Sequence, residues 1–581
     1  MRLFMLYILL LSFGDCKENL DQKLFGVIPL FKNVSAASQP IDIIIPPPTI
    51  PPNNPPVLPI QTPVPVLPSL TYSNSTYSFT VSSPIQISPS LATNISTCSI
   101  LPNLPTGLSL SDQCQISGTT NQIVNSLSFQ ITATNQDRTV SRNITLFINN
   151  LVTIMYPKMK LTFYENILIS DQIPVLVGNP TNLTISPSLP SGLLFNTTTG
   201  TISGTPLLST PDTSYTISAS NPLGSANQSI QIRIGNTTAT RVYGQLGSFT
   251  TAIPSNGGIT ANSLNNPEGI CADSNEGIYI VDRGNNRVLY YANTSTTATR
   301  VHGQLGSFIS NVGNNGGVSA NSLANPMDCV VDSLDNLYIS DSGNHRVLFY
   351  PNGSTTATIV YGQAGNFTTN SAGTSSTSFW GNRGLALDKN NNLFVTEGNF
   401  GNHRVLFFPN GSTTATRVYG QFGNFTTGAQ NNGGISANSV FTPIGVYVTK
   451  NDEVYITDWG NNRLLVFLNG STTATTVYGQ FGSFTSGAVN NGGISANSLQ
   501  TPLYSTVDDA LGVYIADSNN ERMLYYPVGS TTASVVFGQT NFSSNAPGNT
   551  ATTLSYPLKP MIDSRGTLCV TEYHNHRVVC Y

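Results

Sequence analysis

Charge is what this chain lacks. Of 581 residues only 24 are lysine or arginine and 28 are aspartate or glutamate, 9% of the whole, against roughly 25% in an ordinary soluble protein. With so few cations and a formal net charge of -4, no basic stripe exists to neutralise phosphates, which excludes nucleic acid and an anionic membrane surface as partners. Long apolar runs are also missing. The run from Leu3 to Phe13 has 11 residues, short of the ~20 that span a bilayer, and no later segment comes close. Apolar content of 39% with 26 Phe and 24 Tyr still permits sizeable cores. The surface must therefore be covered by Ser, Thr, Asn, Gln and Gly.

What is present begins with targeting. Met1-Arg2, the apolar run, and small residues Ser12 and Gly14 before a cut after Gly14 read as a signal peptide over 1–14. The N-terminal segment 15–70 follows. Between Pro40 and Pro68, 12 of 29 residues are proline, a composition that favours a stiff polyproline II linker over a packed core.

Comparison of the chain with itself shows two related modules. Leu104-Pro105-Thr106-Gly107-Leu108 returns as Leu189-Pro190-Ser191-Gly192-Leu193, and Ser117-Gly118-Thr119 returns as Ser203-Gly204-Thr205. Each copy leads into alternating strands such as SLSFQITATN and SYTISASN, which predicts two small β-sandwiches, over 71–149 and 150–235. The text LPSGLLFNTTTGTISGTP resembles immunoglobulin-like modules that occur in tandem on surface proteins. That resemblance implies spacer or adhesive units.

From 236 to 581 a Gly-Gln step recurs at Gly244, Gly303, Gly362, Gly420, Gly479 and Gly538. Each period reads as a short strand, a long Gly/Asn/Ser loop and three further strands, which predicts a propeller blade. The residues resemble NHL repeats: an apolar strand ending in an acid, then Asn and Arg. The matching pairs are Asp282 with Arg287, Asp341 with Arg346, Asp458 with Arg463 and Asp517 with Arg522, with Glu397/Arg404 and Glu572/Arg577 as longer variants. The fold expected is all-β: a six-bladed NHL-type β-propeller preceded by two immunoglobulin-like β-sandwiches. The order of strands leaves the first outer strand, Thr238 to Gln245, free to complete the sixth blade.

Cys98 and Cys114 flank a strand and turn of the first sandwich, and Cys569 and Cys580 stand opposed across the last hairpin, so both pairs are expected as disulfides. Cys271 and Cys329 fall one register apart on neighbouring innermost strands, so their side chains are expected to face opposite ways as small buried hydrophobes. Asn293, Asn352, Asn410 and Asn469 are glycosylation sequons at one repeated position.

Carboxylates of the propeller are largely committed by the repeat. Of 19 from residue 236 on, five end an innermost strand and six end the next, and no isolated acid pair suggests acid–base catalysis. Six-bladed NHL propellers include peptide-amidating lyases that hold a metal with histidines near the channel. Here His345, His403 and His576 precede the repeat Arg, His302 replaces a Tyr, and His574 sits beside His576. No innermost strand holds a histidine, so neither catalytic residues nor a metal or cofactor are expected.

Residues on which the blades disagree are the informative ones. After the repeated acid the turns carry Arg283, Ser342, Gly398, Trp459, Ser518 and Tyr573, and a longer third turn adds Phe400. Trp380 and Arg383 lie near the channel mouth. Trp380, Arg383, Phe400, Trp459, Arg283 and Tyr573 form the expected ligand-binding set. The sequence points to an extracellular, secreted binding or adhesion protein, monomeric, glycosylated and without a membrane span, whose loop face meets a protein or glycan. The rivals are an extracellular propeller enzyme, amidating-lyase-like or lactonase-like, and a structural matrix or coat component.

Overall fold

Short alternating strands and glycine turns generate an all-β molecule. The computed structural model describes residues 66–136, 138–398, 401–468 and 470–581. The signal peptide, nearly all of the proline-rich segment, Phe400 and Asn469 lie outside the described residues.

The first module has a four-stranded sheet in the order Thr76–Thr80, Arg138–Asn149, Val124–Asn135, Thr97–Leu101. Lys160–Tyr164, Gly224–Gly235, Thr210–Asn221 and Asn182–Ser186 repeat that order in the second. In both, the first strand runs parallel to the second and the rest are antiparallel. The recurring Leu-Pro-x-Gly and Ser-Gly-Thr motifs have a common cause. Gly107 and Gly118 take φ of 95° and 133°, and any Cβ on either would collide with a carbonyl across the turn. The Thr119 N–H donates to Gly107 O at 3.1 Å, and Thr205 repeats this to Gly192 O at 2.9 Å.

Six four-stranded sheets follow. The first has Pro267–Ala272 innermost, then Ile278–Asp282, Arg287–Tyr291 and Arg300–His302. The sixth closes the ring: Arg241–Tyr243 pairs with Arg577–Cys580, Val242 opposite Val579, beside Leu568–Glu572 and Pro557–Ile562. Closure gives the sixth blade its fourth strand, so every blade is a complete four-stranded sheet with only short edges.

Each repeat Arg is fully buried and works as a tie between loops. Arg287 donates from Nε to Asp282 at 2.7 Å, and from its other nitrogens to the carbonyls of Thr260, Ser263 and Phe308. One guanidinium thus fastens its own strand to the loop before and the loop after it. All six blades repeat the pair with both side chains wholly buried. Replacing such a pair by apolar groups is often neutral, but removing one partner costs about 3–5 kcal/mol.

Cys98–Cys114 and Cys569–Cys580 are disulfide-bonded. Cys271 and Cys329 are bonded as well, with Cα atoms 5.8 Å apart, which corrects the expectation that they point apart. The one-register offset is what brings them together. Neighbouring blades stack face to face, so facing side chains must lie on opposite faces of their own sheets. Ile270 packs toward the sixth blade with Met561 and Cys569. Cys271, next in sequence, turns to the second blade, where Cys329 occupies the position equivalent to Ile270.

Leu67–Tyr581 forms one compact unit. Within it Tyr164, at the end of a strand of the second sandwich, is buried against Tyr525 and Phe537, with ring centroids 5.3 and 5.2 Å away, and its hydroxyl meets that of Tyr514. Lys160 adds an exposed ion pair to Asp509 at 3.2 Å.

Candidate functional site

The six innermost strands line an axial channel, and the second and third residues of each strand decide its chemistry. Most are apolar or glycine, as apolar walls require, but Glu268, Asp328, Arg383, Tyr504 and Lys559 are not. Buried charges persist only when paired, and these are. Glu268, with no side-chain exposure, accepts from Arg283 at 2.8 Å and from Arg383 of the third blade. The Tyr504 hydroxyl lies 3.5 Å from the same carboxylate. Asp328 accepts from Lys559 at 2.6 Å and from the backbone N–H of Leu385 at 2.9 Å, and Lys559 also donates to Cys329 O at 3.0 Å.

Five blades thus contribute to one polar plug across the axis. Burial pushes the Asp328 carboxyl up, opposed by the Lys559 ammonium. Burial works against the charge on Arg383, yet Glu268 and, to a smaller extent, Tyr504 and Tyr556 together outweigh it and hold the guanidinium above its ordinary range. The Tyr504 phenol stays well above its usual value through burial and the neighbouring Glu268. The channel is therefore neither dry and apolar nor lined with unpaired acids.

On the loop side of the plug an apolar collar surrounds the mouth. Ile444, Leu503, Tyr504 and Leu558 form its buried layer, with Trp459, Tyr556 and Tyr573 packed on it. The Arg283 guanidinium lies 5.7 Å from the Tyr573 ring centroid. Trp459, Arg383, Ile444, Phe441 and His403 line a recess of about 460 Å³. Trp380 is 42% exposed, and its backbone N–H is anchored on Glu397 at 2.7 Å. Of the expected set, then, Arg283, Arg383, Trp459 and Tyr573 converge on the mouth, and Trp380 stands next to Gly401 on the same face. On the opposite side of the plug lies a cavity of about 530 Å³ between innermost-strand ends such as Val331, Leu387 and Val507, capped by Lys160 and Arg233 of the second sandwich.

The three histidines before the repeat Arg have a structural task. His345, His403 and His576 accept through Nδ1 from the backbone N–H groups of Gly381, Thr442 and Asn266, at 3.2, 3.2 and 3.0 Å. Asn286 and Asn462 do the same through their amide oxygens in the blades that carry Asn there.

Sequence reasoning missed Glu268, Asp328, Tyr504 and Lys559. Their signal was available: polar residues in strands that are otherwise apolar, which have to find one another.

Residues 58–149 and 153–235 match the family model described as "Putative Ig domain", and 264–291 and 442–467 match the NHL repeat model. No curated protein matches the chain. Among solved structures it is similar to a structural genomics protein of unknown function from Bacteroides thetaiotaomicron, at 14% identity and TM-score 0.43, over 74% of this chain and 98% of that one. It is also similar to a streptogramin B lyase, at 12% identity and TM-score 0.35, over 58% and 97%. A third is virginiamycin B lyase from Staphylococcus aureus with quinupristin, at 9% identity and TM-score 0.34, over 68% and 98%.

Proposed function

We propose that this chain, which carries tandem Ig domains and NHL repeats, is a secreted or surface-associated binding and adhesion protein whose propeller loop face recognises an extracellular protein or glycan. One observation carries the reading. The six long loops, 245–266, 304–325, 363–381, 421–442, 480–501 and 539–556, contain no Asp, Glu, Lys, Arg or His, and they surround a mouth furnished with Trp459, Tyr573 and Arg283 over acids that are already engaged. A face of amides, hydroxyls and a few aromatics suits recognition. The carboxylates beneath it are occupied by guanidinium and ammonium groups, whereas acid–base chemistry needs such groups within reach of a substrate. Three disulfides fit an oxidising compartment, and among the described residues no helix is long and apolar enough to cross a membrane. The domain limits that go with this reading are 71–149 and 150–235 for the sandwiches and 236–581 for the propeller.

The test is to probe glycan and extracellular-protein arrays with the full chain and with a Trp380→Ala/Trp459→Ala variant. Binding to one ligand class, weakened tenfold or more in the variant, is the expected result. No retained ligand, or identical binding by the variant to every ligand, would overturn the mouth as the recognition site.

A further inference from the structure

At one repeated position of the loop face the chain accepts two unfavourable features together. The residue after the Gly-Gln glutamine takes a left-handed conformation, φ 54° at Leu246, 51° at Leu305, 49° at Phe422 and 50° at Phe481. Glycine or asparagine would hold that backbone with little strain, whereas a bulky residue there is an outlier. These four side chains are also 64%, 62%, 62% and 58% exposed, so core packing does not explain them. Strain and exposed apolar surface coinciding at a repeated position point to function.

The surroundings form a shelf. Each side chain lies over the first glycine of an Asn-Gly-Gly or Ser-Asn-Gly-Gly turn. A Cβ on Gly257, Gly316, Gly433 or Gly492 would come within 3.4, 3.3, 3.1 or 3.2 Å of it, while the next glycines, Gly258, Gly317, Gly434 and Gly493, have open space above them. The glutamine amide clamps a second apolar residue alongside, donating to the carbonyl of Ile253, Val312, Ala429 or Ala488 at 2.8 to 3.0 Å. Leu is partnered by Ile or Val, and Phe by Ala, so the apolar bulk of the shelf is kept while its parts are exchanged. The third and sixth loops have Ala364 and Thr540 at this position and lack the Gly-Gly step. The four shelves therefore come as two adjacent pairs.

We propose that these four shelves bind a neutral polysaccharide, each apolar side chain stacking on the hydrophobic face of one sugar ring while the Asn, Ser and Thr groups of the loop meet its hydroxyls. The proposal rests on the loop face being the recognition face, and it adds a site separate from the channel mouth. The absence of any ionisable group in these loops selects an uncharged partner. An exposed apolar shelf bordered by amides and hydroxyls selects a ligand that is apolar on one side and hydroxylated at its edge. Fourfold repetition selects a polymer, since linked weak contacts gain avidity from effective concentration.

The test uses the full chain in pelleting assays with cellulose, chitin, mannan and starch, with heparin as the charged control. The key variant is Leu246→Ala/Leu305→Ala/Phe422→Ala/Phe481→Ala, because the third loop already holds Ala364 in the same left-handed backbone, φ 50°, and alanine removes the apolar bulk without creating a glycosylation sequon. Expected is retention of the native chain on at least one neutral polymer and at least a tenfold loss in the fourfold variant, with twofold variants in between. Retention on heparin alone, on no polymer, or unchanged in the fourfold variant overturns the proposal. So does a concentration-dependent dimer that disappears in the fourfold variant without any polymer binding, which would make a second copy the occupant. If Trp380→Ala/Trp459→Ala abolishes retention and the fourfold variant does not, the mouth reading stands and the shelves fall. The reverse result supports the shelves and removes the mouth.

Discussion

The guanidinium of Arg577 donates to the carbonyl of Phe249, 328 positions earlier in the chain. The same side chain pairs with Glu572 at 2.6 Å and reaches Thr550 and Thr553 carbonyls at 3.0 and 3.2 Å. In the other blades the equivalent bond joins consecutive loops. Here it joins the last blade to the first loop, and with the pairing of Val242 and Val579 it closes the ring.

Arg577→Ala leaves the Glu572 carboxylate buried without its cation, and a loss of about 3–5 kcal/mol is expected. Arg404→Ala should cost a similar amount, because Glu397 is left in the same state. The two variants differ in where the structure loosens. Only Arg577→Ala frees the closing strand, so amide exchange at Arg241–Tyr243 should accelerate in that variant and stay slow in Arg404→Ala. Equal exchange in both would mean that the strand pairing alone seals the ring.

The axial plug makes a second prediction. Glu268→Gln removes the one carboxylate that serves both Arg283 and Arg383, and a loss of about 3 kcal/mol is expected in urea unfolding. Pairing it with Arg383→Met should recover part of that loss, because a buried ion pair replaced as a pair is often neutral. If the double variant is simply the sum of the single ones, the two groups do not act as a pair.

How much of this was legible in sequence follows from what a strand can report about itself. The Gly-Gln period fixed six blades, and the count of strands before and after it fixed the closing strand. Cys569 and Cys580 were readable because both lie on one hairpin, where register follows from the turn. Cys271 and Cys329 were misread because a strand's alternation gives its two faces but not which neighbour each face meets. The plug was illegible for the same reason. Glu268 and Lys559 belong to blades at opposite ends of the propeller sequence, and only ring closure brings them to one axis. Turns and loops are where blades differ visibly, so the expected ligand set holds Arg383 as its one innermost-strand member and lacks Glu268, Asp328, Tyr504 and Lys559 beneath the mouth.

Tyr164 is expected to hold the second sandwich against the propeller. Its ring fills a site among Tyr514, Tyr525 and Phe537. Tyr164→Ala should remove about 3–5 kcal/mol of that packing, while Tyr164→Phe should lose only the hydroxyl contact with Tyr514, about 1 kcal/mol. In calorimetry the alanine variant should show the sandwich melting separately from the propeller, and a protease should cut between residues 235 and 240. A single transition unchanged from the native chain would show that the remaining contacts, among them Lys160 to Asp509 and Lys158 Nζ to the Val528 carbonyl at 3.4 Å, suffice to hold the two together.

His302 gives a prediction about pH. It stands where other outer strands carry Tyr243, Tyr361, Tyr419, Tyr478 or Phe537, only 1% exposed, with neither ring nitrogen hydrogen-bonded. Burial, with Arg300 adding to it, pushes the imidazole from 6.5 down to about 3. The folded protein therefore keeps this ring neutral over a range in which the unfolded chain takes up a proton. Its stability is undiminished above about pH 6.5 and falls as the pH drops toward 3, by about 1.4 kcal/mol per pH unit. His302→Phe removes that proton uptake from the unfolded state and also relieves a buried donor, worth about 1–3 kcal/mol at any pH. Urea unfolding of both proteins at neutral pH and at two acid values should show the variant ahead throughout, with its lead widening by about 1.4 kcal/mol for each unit of acidification. A lead that stays constant on acidification would mean that the folded state protonates His302 as readily as the unfolded chain does, and that the ring has a partner or an access path to water.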